Sequence, residues 1–182
     1  ALDVDTGEER WRMNPENEVR SDGIFGNCRG VTYYDVPEAT SDAECAERIY
    51  TATTDSRLIA MDKETGLLCE DFGEKGQVSL LAGMGEVKPL YYGVTSPPIV
   101  VSGVLVVGGL VLDNQETEAP SGVVRGYDPV SGELIWAWDV GKENPQGMPP
   151  LSSGELYARG TPNVWSLMSG DDELGLVYVP TG

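Results

Sequence analysis

The sequence contains no histidine. Histidine is the side chain that most often acts as a general base in enzymes, and it is the most frequent protein ligand of transition metals. Catalysis by an imidazole base and metal binding through imidazole are therefore excluded for these residues.

Basic residues are scarce, because 12 lysines and arginines stand against 30 aspartates and glutamates and the net charge is −18. A chain of this charge repels the phosphate backbone, so no nucleic-acid partner is expected. The acidic residues are scattered along predicted turns, which indicates a solvated acidic surface.

Long hydrophobic runs are also absent. The most apolar stretch, IVVSGVLVVGGLVL at 99–112, is shorter than the ~20 residues that cross a bilayer as a helix. Its glycines and β-branched residues predict two strands instead. No signal peptide is visible and the chain opens directly on a repeat motif, so we expect a fragment whose targeting segment lies upstream.

Cysteine is rare, and Cys28, Cys45 and Cys69 show no CxxC spacing. Zinc-site and thioredoxin-type chemistry therefore have little support. Two alternatives stay open. One disulfide can form in an oxidising compartment, and Cys45–Cys69 is then preferred because both flank the same pair of predicted strands. Otherwise all three cysteines are unpaired buried thiols.

Glycine and proline are plentiful, with 23 and 12 residues spread along the 182-residue chain. This distribution is typical of many short strands joined by turns. One pattern occurs three times, as ALDVDTGEERW at 1–11, AMDKETGLLC at 60–69 and YDPVSGELIW at 127–136. In each, an Asp that accepts from turn amides precedes a Gly that supplies a positive φ. The second unit has Glu70 where the others have tryptophan.

The repeats and the segments between them predict an all-β fold. Strand candidates are 28–35, 48–54, 57–62, 67–72, 97–101, 104–112, 122–128, 133–139, 163–169 and 174–180. Units of four strands predict a partial β-propeller of four-stranded antiparallel blades. Residues 1–182 then form one fragment with the end of one blade, two whole blades and the start of another. The tryptophans Trp11, Trp136 and Trp138 are expected to dock blade on blade.

The repeat frame A-x-D-x-x-T-G-x-x-x-W resembles the tryptophan-docking repeat of the pyrroloquinoline quinone (PQQ) dehydrogenases. Further stretches are similar to the membrane-bound glucose and quinate dehydrogenases of that family, namely CRGVTYY, DSRLIAMDKETGLLCEDFGEKG, YYGVTSPPIV, DNQETEAPSGVVRGYDPVSGELIWAWD, RGTPNVW and LGLVYVPTG. The resemblance implies an eight-bladed parent that is periplasmic and membrane-anchored. It further implies PQQ and Ca or Mg at the centre, oxidation of a sugar, polyol or cyclic hydroxy acid, and electron transfer to ubiquinone.

The resemblance assigns the metal to Asp113 and Asn114. Taken alone, an Asp-Asn pair after a strand is a turn initiator. On the family pattern Asp113 is the metal carboxylate and Asn114 gives a second oxygen, and oxygen ligands suit Ca²⁺ or Mg²⁺. The acidic residues behind them, Glu116 and Glu118, are expected to be solvated.

The cofactor residues implied by the resemblance are Arg29, Thr95, Ser96, Asn163 and Trp165. Arg29 would pair with a PQQ carboxylate, and its alternative role is a surface salt bridge. Trp165 would lie under the PQQ ring instead of docking blades. Asn163 would reach the cofactor edge. The hydroxyls of Thr95 and Ser96 would bind the cofactor or merely cap a strand.

Substrate and catalysis are less determined. Tyr34 occupies the position of a family histidine near the sugar, so it is the candidate substrate residue and glucose itself is in doubt. The resemblance places the catalytic aspartate in a later blade, beyond Gly182, so no catalytic residue is expected in this chain. A non-enzymatic scaffold of the outer-membrane assembly type is the alternative function. Calcium binding without redox chemistry ranks last, because DxDxDG loops are absent.

Overall fold

The computed structural model describes residues 1–17, 29–40, 42–112, 114–143 and 154–182, and these residues contain strands and turns but no helix. Cys28 and Asp113 therefore lie outside the described residues. Within the same ranges no helical segment could cross a membrane.

The described ranges hold short strands. They are β1 (Thr32–Asp35), β2 (Glu47–Ala52), β3 (Arg57–Asp62), β4 (Gln77–Ser79), β5 (Tyr92–Gly93), β6 (Ile99–Val101), β7 (Val104–Val107), β8 (Leu110–Val111), β9 (Val124–Tyr127), β10 (Leu134–Trp138), β11 (Ser169–Asp171) and β12 (Leu176–Tyr178).

Two four-stranded antiparallel sheets dominate the fold. Their strand orders are β1-β2-β3-β4 and β6-β7-β9-β10, and two-stranded ladders pair β5 with β8 and β11 with β12. The first strands β1, β6 and β11 contact one another in that order. Four-stranded sheets whose first strands adjoin are the blades of a propeller. The predicted all-β fold class of antiparallel blades is confirmed.

The prediction of a strand at 67–72 was wrong. Only an isolated bridge joins Leu68 to Met61, and the fourth strand of the first sheet is β4. The segment turns inward because Cys69 is bonded to Cys45 and Phe72 is fully buried in the core. Cys69 and Phe72 therefore pack in the core, whereas Leu67 stays exposed, and the segment does not extend the sheet.

The disulfide joins Cys45 to Cys69, which lie 24 residues apart in sequence. The preferred pairing is confirmed, and the alternative of three unpaired thiols was wrong. Both cysteines are buried at the edge of the first sheet.

Each repeat turn is built around its aspartate. Asp3, Asp62 and Asp128 accept hydrogen bonds from the backbone amides two and three residues further on. Burial alone would raise the pKa of Asp62, but hydrogen bonds from Cys45 and Thr65 outweigh it and hold that pKa below its usual value. The carboxylates therefore stabilise the turns in their charged form.

Trp11 docks on the neighbouring blade as predicted. The Trp11 ring covers the second repeat turn so closely that a Cβ on Gly66 would come within 2.4 Å of it. Trp11 Nε1 also donates to the carbonyl of Lys63 at 2.8 Å. Trp136 and Trp138 pack against the buried cluster of Val106, Val124 and Val164, and the Trp136 ring covers Gly126 of its own sheet, so their docking on another blade stays a prediction.

The second repeat, which lacks the tryptophan, docks on the third by polar contacts. Arg48 Nη1 donates to the carbonyl of Val130 at 3.0 Å, and the Tyr50 hydroxyl donates to the carbonyl of Pro129. The amide of Gly73 donates to the carbonyl of Ser131 at 2.8 Å. Between the second and third repeats, buried polar side chains of β2 thus make the contacts that the indole of Trp11 makes between the first and second repeats.

Candidate cofactor site

Three loops that lead into the first strands meet at one place. Arg29 precedes β1, Thr95 and Ser96 precede β6, and Trp165 precedes β11. Because β1, β6 and β11 adjoin, the entries of these strands lie side by side. The fold therefore brings together residues that are far apart in sequence.

Arg29 is the centre of this cluster. Its backbone amide donates to the carbonyl of Thr95 at 3.0 Å, and its Nη1 donates to the Thr95 hydroxyl at 2.6 Å. Longer contacts of 3.4 Å join Nη1 to Ser96 Oγ and to the carbonyl of Trp165. One nitrogen of the guanidinium therefore carries the contacts with both neighbouring loops.

The other edge of the guanidinium is available. Arg29 is exposed, and no acceptor in the described part of the chain takes a hydrogen bond from its Nε or Nη2. These two nitrogens form the edge that binds a carboxylate with two parallel hydrogen bonds. Among the described residues this carboxylate-binding edge is therefore left without a hydrogen-bond partner.

Trp165 presents an indole to solvent beside this edge. Its side chain is 43% exposed, and its ring centroid lies 5.3 Å from the guanidinium carbon of Arg29. Ser96 Oγ donates to the backbone carbonyl of Trp165 at 2.6 Å, which fixes the loop that carries the ring. An exposed indole is suited to contact with a flat aromatic ligand.

Thr95 and Ser96 act mainly inside the protein. Both are buried, and their hydroxyls hold Arg29 and Trp165 as described. The structure therefore brings them to the cluster as supports for Arg29 and Trp165.

Asn163 is almost completely buried, at 1% exposure. Its Oδ1 accepts from the amide of Val111 at 3.3 Å, and its Nδ2 donates to the carbonyl of Gly182 at 3.3 Å. Backbone bonds at 3.0 Å in both directions also join Asn163 to Gly182. The residue links β8 to the loop of Trp165, and its predicted contact with the cofactor edge stays a prediction.

Asn114 follows β8 and adopts the left-handed backbone at φ 58°, which asparagine tolerates well. It lines an open pocket of about 680 Å³ together with Thr161 and Gly182. Its partner in the metal prediction, Asp113, lies outside the described residues. Over the described ranges no three His, Cys, Asp or Glu side chains come together as metal ligands. These ranges alone do not form a complete metal site.

Tyr34 lies apart from the cluster. It is in β1 opposite Arg48, and its side chain packs against the main core. Burial raises the pKa of its hydroxyl, and Asp128 adds to the effect. The hydroxyl comes near Gly103, in the turn after β6, whereas Arg29 contacts the loop before β6. The structure does not bring Tyr34 to the indole, and its substrate role stays a prediction.

Sequence reasoning missed a supporting contact around β8. The ring of Tyr92 lies against the backbone of Gly109, where an added Cβ would approach it to 2.4 Å. Gly108 is covered equally closely by Val164. A pair of glycines inside an apolar strand indicates such close approach, so GG at 108–109 was an available signal.

The family assignment follows from comparison with known proteins. The family model "PQQ: Glucose/ethanol/alcohol dehydrogenase, beta-propeller domain" matches residues 1–182. The chain belongs to the PQQ dehydrogenase propeller family. The recognition made from the repeat frame and the longer stretches is thereby confirmed.

Relatives within the PQQ family include a glycerol dehydrogenase large subunit from Gluconobacter oxydans, 48% identical over 181 residues. A quinoprotein glucose dehydrogenase from Escherichia coli is 39% identical, and a quinate/shikimate dehydrogenase (quinone) from Acinetobacter baylyi is 37% identical. Each alignment covers 100% of this chain. The chain spans about a quarter of each relative, between 23% and 24%.

A solved structure of the PQQ family has the same fold. The quinohemoprotein alcohol dehydrogenase of Comamonas testosteroni superposes with a TM-score of 0.66 at 24% identity. The superposition covers 100% of this chain and 26% of that protein. At this identity the likeness concerns the fold alone.

Proposed function

We propose that residues 1–182 are one fragment of a PQQ-dependent dehydrogenase that oxidises a sugar, polyol or cyclic hydroxy acid and passes electrons to ubiquinone. In this proposal the fragment holds the end of one blade, two whole blades and the start of another. The parent is periplasmic and membrane-anchored. The observation that carries the proposal is the contact of Arg29 with the exposed indole of Trp165 at the meeting point of three blades.

The cluster fits the chemistry of PQQ. This cofactor is a planar ortho-quinone with three carboxylates, so it requires a flat apolar contact and a local cation. Trp165 offers the first and the outer edge of Arg29 offers the second. A local cation matters because the chain carries a net charge of −18, which would otherwise repel a trianion.

The residues of this chain bind and orient the cofactor in this proposal. PQQ supplies the quinone that accepts hydride from an alcohol carbon. Arg29 fixes one carboxylate, and Trp165 holds the plane of the ring. Thr95 and Ser96 keep both side chains in place through the hydrogen bonds described above. Asn163 contributes by fixing the loop of Trp165.

The metal assignment is kept as part of the proposal. Asp113 and Asn114 follow β8, and Asn114 lines the open pocket beside Gly182. Calcium or magnesium suits carboxylate and amide oxygens. The described residues do not bring together three His, Cys, Asp or Glu side chains for this ion.

Among the proposed substrates, a polyol is favoured. The relative with 48% identity is named a glycerol dehydrogenase, whereas the glucose dehydrogenase of Escherichia coli is 39% identical. Tyr34 also stands where the glucose enzymes of the family resemblance have histidine. A cyclic hydroxy acid such as quinate remains in the substrate panel.

The activity is tested with the full-length protein. PQQ is added with Ca²⁺ or Mg²⁺, and reduction of a dye is followed with glycerol, other polyols, glucose and quinate. We expect reduction that requires PQQ and a polyol. No PQQ-dependent reduction with any substrate would refute the proposal.

The site is tested separately by cofactor binding. PQQ, with and without Ca²⁺, is titrated against the tryptophan fluorescence of the wild type, of Arg29→Met and of Asp113→Ala. Weaker PQQ binding by Arg29→Met and a lost metal response of Asp113→Ala are expected. Absence of PQQ binding by the wild type would favour the non-enzymatic scaffold, whereas equal PQQ binding by all three proteins would refute the roles assigned to Arg29 and Asp113.

A further inference from the structure

Arg125 in β9 is a buried cation that the proposed site does not use directly. Its side chain is 1% exposed. Nη2 donates to the carbonyl of Leu80 at 2.8 Å and to the hydroxyl of Tyr92 at 3.0 Å. Nη1 makes a longer contact of 3.4 Å with the carbonyl of Ala82, and the guanidinium lies 5.8 Å from the ring centroid of Tyr157.

No carboxylate pairs with Arg125 in the described part of the chain. Its Nε has no hydrogen-bond partner among the same residues. Arginine stays charged at any ordinary pH, so a buried arginine is costly unless its contacts compensate. All of its partners are neutral oxygens or rings, and they belong to segments outside its own sheet. The protein thus keeps a buried charge whose desolvation is costly, and the hydrogen bonds of this charge join separate segments of the chain.

Tyr92 is the partner that leads to the site. It belongs to β5 and is opposite Val111 of β8. Its ring packs on Gly109 just before β8, and its hydroxyl is held by Arg125. The β5–β8 ladder is only two residues long on each side, so its own hydrogen bonds give it little stability. Its placement must come from tertiary contacts of this kind.

Both proposed ligand loops extend from this ladder. Thr95, the partner of Arg29, follows β5 after one intervening residue. Asn114, the described member of the predicted metal pair, follows β8 three positions after Val111. A shift of the ladder would therefore displace the contacts of Arg29 and the position of Asn114 together.

We propose that Arg125 is a positioning residue for the cofactor site. Through Tyr92 it fixes the β5–β8 ladder, and with the ladder it fixes the loops that carry the proposed ligands. This inference rests on the function proposed above. Arg125 itself touches neither cofactor nor substrate.

The test compares Arg125→Met with the wild type in the full-length protein. Methionine keeps an unbranched side chain that suits a buried position, but it is shorter and lacks the guanidinium, so all hydrogen bonds of Arg125 are removed. Without PQQ, amide hydrogen exchange of peptides covering 90–96 and 108–112 should become faster in the variant. With PQQ, the dissociation constant from fluorescence titration should rise about 10-fold, the lower end of the range for residues that support direct ligands.

Arg48→Met is the matched control. Arg48 is equally buried, at 2% exposure, and also donates to the backbone carbonyls of Cys45 and Val130, but unlike Arg125 it pairs with a carboxylate, that of Asp71. None of its contacts reaches β5 or β8. Thermal unfolding should show destabilisation in both variants, whereas exchange in the two peptides and PQQ affinity should change only in Arg125→Met. Equal effects of the two variants on both readouts would overturn the inference.

Tyr92→Phe keeps the inference testable if Arg125→Met does not fold. It removes only the hydroxyl that Arg125 holds, and it should reproduce the faster exchange and the weaker PQQ binding. In a double variant the effects on exchange and on PQQ binding should not add, because both substitutions remove the same hydrogen bond between Arg125 and Tyr92. Unchanged exchange in either single variant overturns the inference, whatever PQQ does. Failure of the wild type to bind PQQ overturns the proposed function instead.

Discussion

The disulfide permits a stability prediction whose size follows from the chain. We replace Cys45 and Cys69 by alanine in the full-length protein. A bridge between residues 24 positions apart removes loop entropy from the unfolded state, and the chain-entropy relation gives about 3.5 kcal/mol at 25 °C for n = 24. Loss of two buried sulfur atoms adds to this, because both cysteines are buried.

The assay is equilibrium urea unfolding followed by tryptophan fluorescence, with and without a reducing agent. The double variant should lose more than about 3.5 kcal/mol of unfolding free energy, the entropic cost plus the cost of the lost buried sulfurs, in the transition of this region. A reducing agent should lower the unfolding free energy of the wild type by about 3.5 kcal/mol, since the reduced protein keeps both sulfurs, and should leave the double variant unchanged. Unfolding of the oxidised wild type and the double variant at the same urea concentration would refute the entropic argument.

Three further predictions concern the turns and the site. Gly66→Ala and Gly7→Ala share a positive φ, 72° and 74°, but only Gly66 lies under the Trp11 ring. Urea unfolding should therefore show a loss of about 1 kcal/mol for Gly7→Ala and distinctly more for Gly66→Ala; equal losses would contradict the docking. The folded pKa of Asp62 lies below its unfolded value of 3.8, so its stabilisation is present above pH 3.8 and is lost as pH falls through the folded pKa. Urea midpoints between pH 2 and 6 should show a smaller acid loss in Asp62→Asn than in the wild type, and equal losses would refute the assignment. Arg29→Met should weaken PQQ binding about 10-fold or more in fluorescence titration, because a charge-assisted pair is lost; Arg29→Lys should bind between the two, and unchanged affinity in both would exclude the carboxylate contact.

The repeat turns were predictable because their chemistry is local. An Asp, two residues, a Thr or Ser and a Gly already specify which amides the carboxylate binds and where the backbone needs a positive φ. The structure has these bonds at Asp3, Asp62 and Asp128. The same local view favoured Cys45–Cys69 over the other pairings, since both cysteines flank adjoining strands, but it left open whether any disulfide forms.

The segment 67–72 shows where the local view fails. Its residues are apolar enough for a strand, but Phe72 is buried in the core and the backbone turns inward after Cys69. The sequence pattern also gave no sign that Arg48 and Tyr50 make the contacts for which other repeats use a tryptophan. Those side chains belong to β2, and their partners at Pro129 and Val130 lie about eighty residues further on.

By itself the sequence determined the strand-and-turn repeat, the all-β class and the family, because these depend on residue spacing within single units. Only the tertiary structure decided which residues share a site. Arg29 meets Thr95 across 66 positions and the Trp165 backbone across 136, since neighbouring blades pack through their first strands. The same packing directs Tyr34 towards the core and places the buried Arg125 within hydrogen-bond distance of the Tyr92 hydroxyl. Contacts between blades depend on distances that no spacing within one unit specifies.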